Sequence, residues 1–186
     1  MTTASEFMAE LFGAQSRGVH GELDEVADDL LNWQPDSQAN SIAVTVWHFS
    51  RVADLVVNSV FHGKPADDQF WFTGGYAEKY DYNPLGKGAN GWGALTGFSI
   101  EEMQAIPKIS GDDLLNYFDM TFGALQEHIE GMSEAEFDAP ISGAGAERSA
   151  YYWSRIVIID ATRHMGEISA IKAMYRRKFN PIDAAG

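Results

Sequence analysis

"RSAYYWSRIVIIDATRHMGEISAIKAMYRRKF", residues 148–179, decides the fold. Trp153, Ile156, Val157, Ile168 and Ile171 recur at steps of three and four, the spacing of one face of an α-helix. Arg176, Arg177 and Lys178 lie in the last turns, where the helix dipole favours cations. Continued at the same steps, the apolar stripe runs through Asp160, His164 and Glu167. A charge on an inward face is costly unless something compensates it. A metal ion, an arginine (Arg51, Arg155 or Arg163) or a water-filled pocket would each do so.

Three further long segments carry the same period, and no stretch alternates like a strand. The first is expected as one helix from Ser5 to Trp33, with Phe7, Leu11, Leu23, Val26, Leu30 and Leu31 on its apolar side and Gly13, Gly18 and Gly21 weakening its middle. Pro35 and its turn-forming neighbours end it. The second starts at Asn40 or Ser41, either a good N-cap, and runs to His62. Its stripe is Ile42, Val46, Phe49, Ala53, Val56 and Val60, and "HGKP" stops it. The third spans Ser110 to Met132 on Leu114, Phe118, Phe122, Leu125 and Ile129, and the "SEAEF" turn and "DAPISGAGAE" loop lead into the fourth.

Residues 64–110 hold Trp71, Phe72, Tyr76, Tyr80, Tyr82, Trp92 and Phe98 among many glycines, with a short helix expected over Ser99–Ile106. A loop of this length in one domain is commonly a lid, an interface element or disordered, and its aromatics argue against disorder. Four long helices in 186 residues form one domain, 1–186, of the all-α class: a four-helix bundle.

Composition narrows the function. A net charge of −14 with no basic stripe argues against nucleic acid as a partner. The absence of cysteine excludes disulfides, thiolate ligands and a Cys nucleophile, and fits a reducing cytoplasm. No signal-like start and no apolar run of membrane length is present, so a cytoplasmic protein with no membrane partner is expected.

The second helix has its own misplaced polar residue. His48 stands between Trp47 and Phe49 in an otherwise apolar stretch. His48, Asp160 and His164 together make a two-histidine, one-carboxylate set on two helices, the way bundle cores build metal sites. The plainer alternatives are a core histidine with one hydrogen bond and a buried bridge from Asp160 to an arginine. Glu167 would be an acceptor for a ligand imidazole, a general base or a surface charge. His20, His62 and His128 have simpler readings: a glycine-rich helix segment, a C-terminal dipole partner, and a solvent-facing residue.

The stretches "NWQPDSQANSIAVTVWHFSRVADL" (32–55) and "DATRHMGEISAI" (160–171) resemble the DinB-like (YfiT-like) metalloenzyme superfamily. That family's proline turn, Asn-Ser-Ile helix start and following histidine match Asn40, Ser41, Ile42 and His48. Its late pair of histidines, small residue and Gln or Glu match His164, Gly166 and Glu167, but the first histidine of the pair is replaced by Asp160.

The resemblance implies an up-down-down-up bundle, often a homodimer, with one divalent metal (Zn, Ni, Fe or Mn) per chain on His48, Asp160 and His164. It implies a small-molecule substrate, with Glu167 as the catalytic or orienting acid. Thiol-dependent transfer with a low-molecular-weight thiol ranks first as the reaction and hydrolysis second. A non-catalytic dimeric binding protein with a degraded site is the alternative.

Overall fold

The computed structural model describes residues 2–24, 26–141 and 148–180. Four long helical elements dominate: α1 (Ala4–Leu23), α3 (Ile42–Asp54, continuing as a π-helical stretch over Leu55–Phe61), α7 (Gly111–Glu130) and α9 (Ala150–Phe179). Between them lie α2 (Asp28–Leu31), α4 (Phe70–Thr73), α5 (Tyr76–Lys79), α6 (Ile100–Gln104) and α8 (Glu134–Asp138). Residues 142–147 of the expected "DAPISGAGAE" loop lie outside the described residues. Its flanks pair as a two-residue antiparallel ladder, Pro140–Ile141 with Arg148–Ser149. Among the described residues, no helix is long and apolar enough to cross a membrane.

Hydroxyl caps fix where the long helices begin. The side chains of Thr3, Ser41, Ser110 and Ser149 each accept from a backbone N–H in the first turn of α1, α3, α7 and α9. Of the two expected caps for α3, Ser41 is the one used, through its 3.2 Å bond from Val44 N. Ser41→Ala is therefore expected to lower the unfolding free energy by about 1 kcal/mol, measured by urea denaturation. After His62, Gly63 takes a φ of +63°, a left-handed turn that ends the helix cheaply only at glycine.

The first helix is shorter than its apolar spacing suggests. It stops at Leu23, and α2 resumes the stripe from Asp28. Acidic residues crowd the break: Glu22 and Asp24 stand at the negative end of α1, where the dipole disfavours them, and Asp28 and Asp29 at the positive end of α2, where it favours them.

α1 packs on α7 and α9, and α3 packs on the same two. Cross-helix pairs give the directions. His20 meets Asp119 and Ser5 meets Met132, so α1 and α7 are antiparallel; Gln15 meets Thr162 and Glu22 meets Lys172, so α1 and α9 are parallel. Phe49 meets Phe118 and Phe61 meets His128, so α3 and α7 are parallel. Asn40 meets Glu167 and His48 meets Asp160, so α3 and α9 are antiparallel. Phe12, Phe49, Phe118 and Phe122 interlock in the middle with ring centroids 4.3–6.0 Å apart.

Residues 41–51 of α3 and its cap are all buried, so this helix has no solvent face. Such a helix is largely apolar, as in "IAVTVW", and its buried hydroxyls, Thr45 and Ser50, bond the carbonyls of Ser41 and Val46. Its outer side is covered by residues 64–110. Trp71, Tyr76 and Tyr82 are buried, and Trp47 and Tyr117 meet the Trp71 ring at 5.8 and 5.3 Å. Of the other aromatics of this segment, Phe72, Tyr80 and Phe98 are half-buried against the core and Trp92 is exposed.

Candidate metal centre

α3 and α9 cross antiparallel, so the middle of one faces the middle of the other. That brings His48, Asp160 and His164 together, each offering a ligand atom within 4.8 Å of the others. His48 Nε2 lies 3.3 Å from Asp160 Oδ2, and His164 Nε2 lies 3.6 Å from Asp160 Oδ1. Donors about 2.1 Å from a tetrahedral ion stand about 3.4 Å apart, close to both separations, which run to the two different oxygens of the carboxylate. The two imidazole rings meet edge to face, centroids 4.8 Å apart.

Each imidazole is held by its other nitrogen. His48 Nδ1 is 2.5 Å from the carbonyl of Ala94. A carbonyl can only accept, so Nδ1 carries the proton and Nε2 turns its lone pair toward Asp160. His164 Nδ1 donates to Glu167 Oε2 over 2.6 Å, which exposes Nε2 in the same way. Asn40 Nδ2 reaches Glu167 Oε1 at 3.4 Å, steadying the acceptor. Two imidazoles with Nδ1 engaged and Nε2 convergent form the outer-shell pattern of metal-ligating histidines.

The carboxylate supplies the test of fit. Asp160 Oδ2 is buried with no hydrogen bond, because the contact from His48 lacks hydrogen-bond geometry. A buried carboxylate oxygen without a donor is costly, and a cation on it removes the cost. Two neutral nitrogens and one charged oxygen suit a borderline divalent ion. The residues present fit such an ion.

Electrostatics favour the charged carboxylates. Burial pushes the Asp160 pKa up; a protonated ring at His48, then His164, and the charge of Arg163 pull it below the ordinary aspartate value, so the lowering belongs to the state in which the imidazoles carry charge. The hydrogen bond to Glu167 raises the His164 pKa, against burial, and the charges of Asp160 and Glu167 add to the rise. That same hydrogen bond lowers Glu167, against its burial. Side-chain exposure rises from 8% at His48 to 20% at His164 and 27% at Asp160, so the cluster opens to solvent along α9.

The arginine alternative for Asp160 does not hold among the described residues. Arg51 is fully buried but pairs with Asp54 at 3.0 Å, and Arg163 acts on Asp160 only through its charge. His20 bonds Asp119 at 2.8 Å on the surface. His128, expected in solvent, is half-buried with its ring 5.0 Å from Phe61 and 4.8 Å from His62, because the flank of α7 beside Ile129 receives the end of α3. Sequence reasoning missed Ala94 altogether, and it missed the tie from Asn40 to Glu167. A backbone carbonyl leaves no residue-type signal, and Asn40 reads equally well as a cap.

No curated protein sequence matches the chain. Its structure is similar to the crystal structure of a conserved protein from Enterococcus faecalis, with a TM-score of 0.75 at 15% identity, covering 94% of this chain and 98% of that one. At that identity the likeness speaks for the fold. A family model of the DinB superfamily matches residues 14–168, a span that contains His48, Asp160, His164 and Glu167. The chain belongs to the DinB superfamily.

Proposed function

We propose that the protein is a metal-dependent enzyme that binds one divalent cation per chain through His48 Nε2, Asp160 and His164 Nε2. One observation carries the reading: two imidazoles, each with Nδ1 engaged elsewhere, converge on a carboxylate whose buried Oδ2 has no hydrogen bond. A bound divalent cation supplies Lewis acidity toward a thiol or water at neutral pH. The fold that carries the site is an up-down-down-up four-helix bundle, a reading supported by the helix directions described above.

The chain's own residues do the rest. Ala94 and Glu167 hold the two rings in the ligating tautomer. Glu167 keeps its second oxygen toward Asn40 and is half-exposed, so it can exchange a proton with a group arriving along α9. A recess of about 220 Å³ adjoins through Asn40, lined also by Gln38, Leu95, Phe98, Ser99, Ile100 and Met103. Its mixed polar and apolar wall suits a small substrate that carries both kinds of group. Thiol-dependent transfer is the first choice of reaction, using a low-molecular-weight thiol as the chain has no cysteine of its own, and hydrolysis is the second.

Elemental analysis of the purified protein tests the reading. About one divalent ion per chain is expected, and none in the His48→Ala/His164→Ala double variant. Failure of the wild-type chain to bind zinc, nickel, manganese or iron after loading would sink it.

A second reading has an observation in its favour. The raised His164 pKa lets Asp160 and Glu167 share a protonated imidazole with no ion present. The protein would then be a non-catalytic binding protein, and its melting temperature would be indifferent to added metal.

A further inference from the structure

We propose that Arg51 is a positioning residue for this site: it fixes the Gly93–Ala94 backbone that in turn sets the ring of His48. His48 and Arg51 are three residues apart on α3 and so share a face. They grip consecutive carbonyls. His48 Nδ1 donates to Ala94 O, and Arg51 Nε donates to Gly93 O at 3.3 Å. The rest of the guanidinium is held from behind. Nη1 donates to Asp54 Oδ2 at 3.0 Å and to Tyr117 Oη at 3.2 Å, and Nη2 donates to Gln69 Oε1 at 2.7 Å.

Arg51 and Asp54 are both 0% exposed. Apolar residues of similar volume stabilise a core at least as well as a buried ion pair does, so stability alone is a weak reason for this one. What Arg51 adds is a rigid, planar donor at one fixed place. The backbone it holds is in a conformation that needs holding. Gly93 has a φ of +65°, and a Cβ there would stand 2.5 Å from the carbonyl oxygen of Pro84. Leu95 has a φ of +68°, in the left-handed region that a leucine rarely enters. Residues 93–95 are thus closed on one side by Pro84 and gripped on the other by Arg51, with the Ala94 carbonyl aimed at His48.

The affinity arm of this proposal rests on the metal reading; the tautomer arm does not. Three variants separate positioning from general stabilisation. Arg51→Lys keeps a charge for Asp54 but loses the planar Nε donor to Gly93. Gly93→Ala displaces the segment without touching the ion pair. Tyr117→Phe removes hydrogen bonds to Asp54 and Arg51 but leaves residues 93–94 alone.

In the metal-free proteins, long-range 15N–1H correlation of the histidine side chains reads the tautomer of His48. The Nδ1–H form is expected in the wild type and in Tyr117→Phe, with the Nε2–H form appearing in Arg51→Lys and Gly93→Ala. Titration calorimetry with zinc alone is expected to show about 10- to 100-fold weaker binding in Arg51→Lys and Gly93→Ala, and less than a threefold change in Tyr117→Phe.

If Arg51→Lys and Gly93→Ala keep the wild-type tautomer, the proposal is overturned, whether or not zinc binds. It is equally overturned if Tyr117→Phe weakens zinc as much as they do, since the effect would then be general loosening. A wild type that binds no zinc but shows the expected tautomer pattern removes the metal reading and leaves the positioning role standing.

Discussion

Asp54→Ala is expected to lower the unfolding free energy by about 3–5 kcal/mol, because it removes one partner of a buried ion pair. The carboxylate is 0% exposed and its oxygens are fully engaged. Oδ2 accepts from Arg51, from Tyr117 Oη at 2.7 Å and from Trp71 N at 3.0 Å; Oδ1 accepts from Asn58 Nδ2 at 2.8 Å and from Phe70 N at 2.9 Å. Alanine leaves a guanidinium buried with no counter-charge and two N–H groups at the start of α4 without an acceptor. It also cuts the tie between α3 and the layer covering it.

Urea unfolding measures the loss. A change under about 1 kcal/mol would mean that water replaces the carboxylate freely and that the cluster is not a dry core. The Tyr117 hydroxyl responds to the same surroundings: burial above all, with the Asp54 charge, pushes its pKa well above the ordinary tyrosine value.

Most of the helical plan was legible because it depends on local rules. Ser110 and Ser149 are hydroxyls placed just before apolar periods, and α7 and α9 start at them. The break after Leu23 was not, since Leu23, Val26 and Leu30 keep helical spacing across it; the acidic residues around it were the overlooked signal. Residues 64–110 were recognisable as aromatic and glycine-rich. That Trp71 would stack against Trp47 and Tyr117 was not, because burial there depends on partners far away in sequence. The site divides in the same way. His48, Asp160 and His164 stood out as polar residues on apolar stripes, a property of each helix alone. Their convergence depends on how α3 crosses α9, and the hold on His48 comes from a carbonyl with no residue signature. From sequence Arg51 reads as a partner for Asp160, being a cation one turn from His48; the nearer acid, Asp54, one turn along the same helix, takes it.

Asp160 stands where the resemblance to the DinB-like pattern implies a histidine, and its replacement is expected to give the largest functional effect. Free metal at a hundredfold over its Kd stabilises a native-state site by about 2.7 kcal/mol. For a domain of this size that is roughly 5–10 °C in melting temperature. The wild type is expected to gain this increment with at least one of zinc, nickel or manganese, whereas Asp160→Asn is expected to gain none. An amide oxygen carries no charge, and a lost ligand should weaken binding by more than the 10- to 100-fold typical of outer-shell changes.

Stability without metal does not separate the two readings. The Asp160 pKa is lowered in the metal-free fold by the imidazoles and Arg163, so at neutral pH its ionised form favours the fold over its protonated form. Under the metal reading the uncompensated Oδ2 offsets that gain, so only the response to metal distinguishes the two. Asp160→His completes the comparison. If the carboxylate is a ligand exchanged for the family's histidine, the three-histidine variant regains a metal-dependent shift that Asp160→Asn lacks. If Asp160 serves only to hold His164, three imidazoles crowd one another, no shift appears, and the metal-free protein is the least stable of the three.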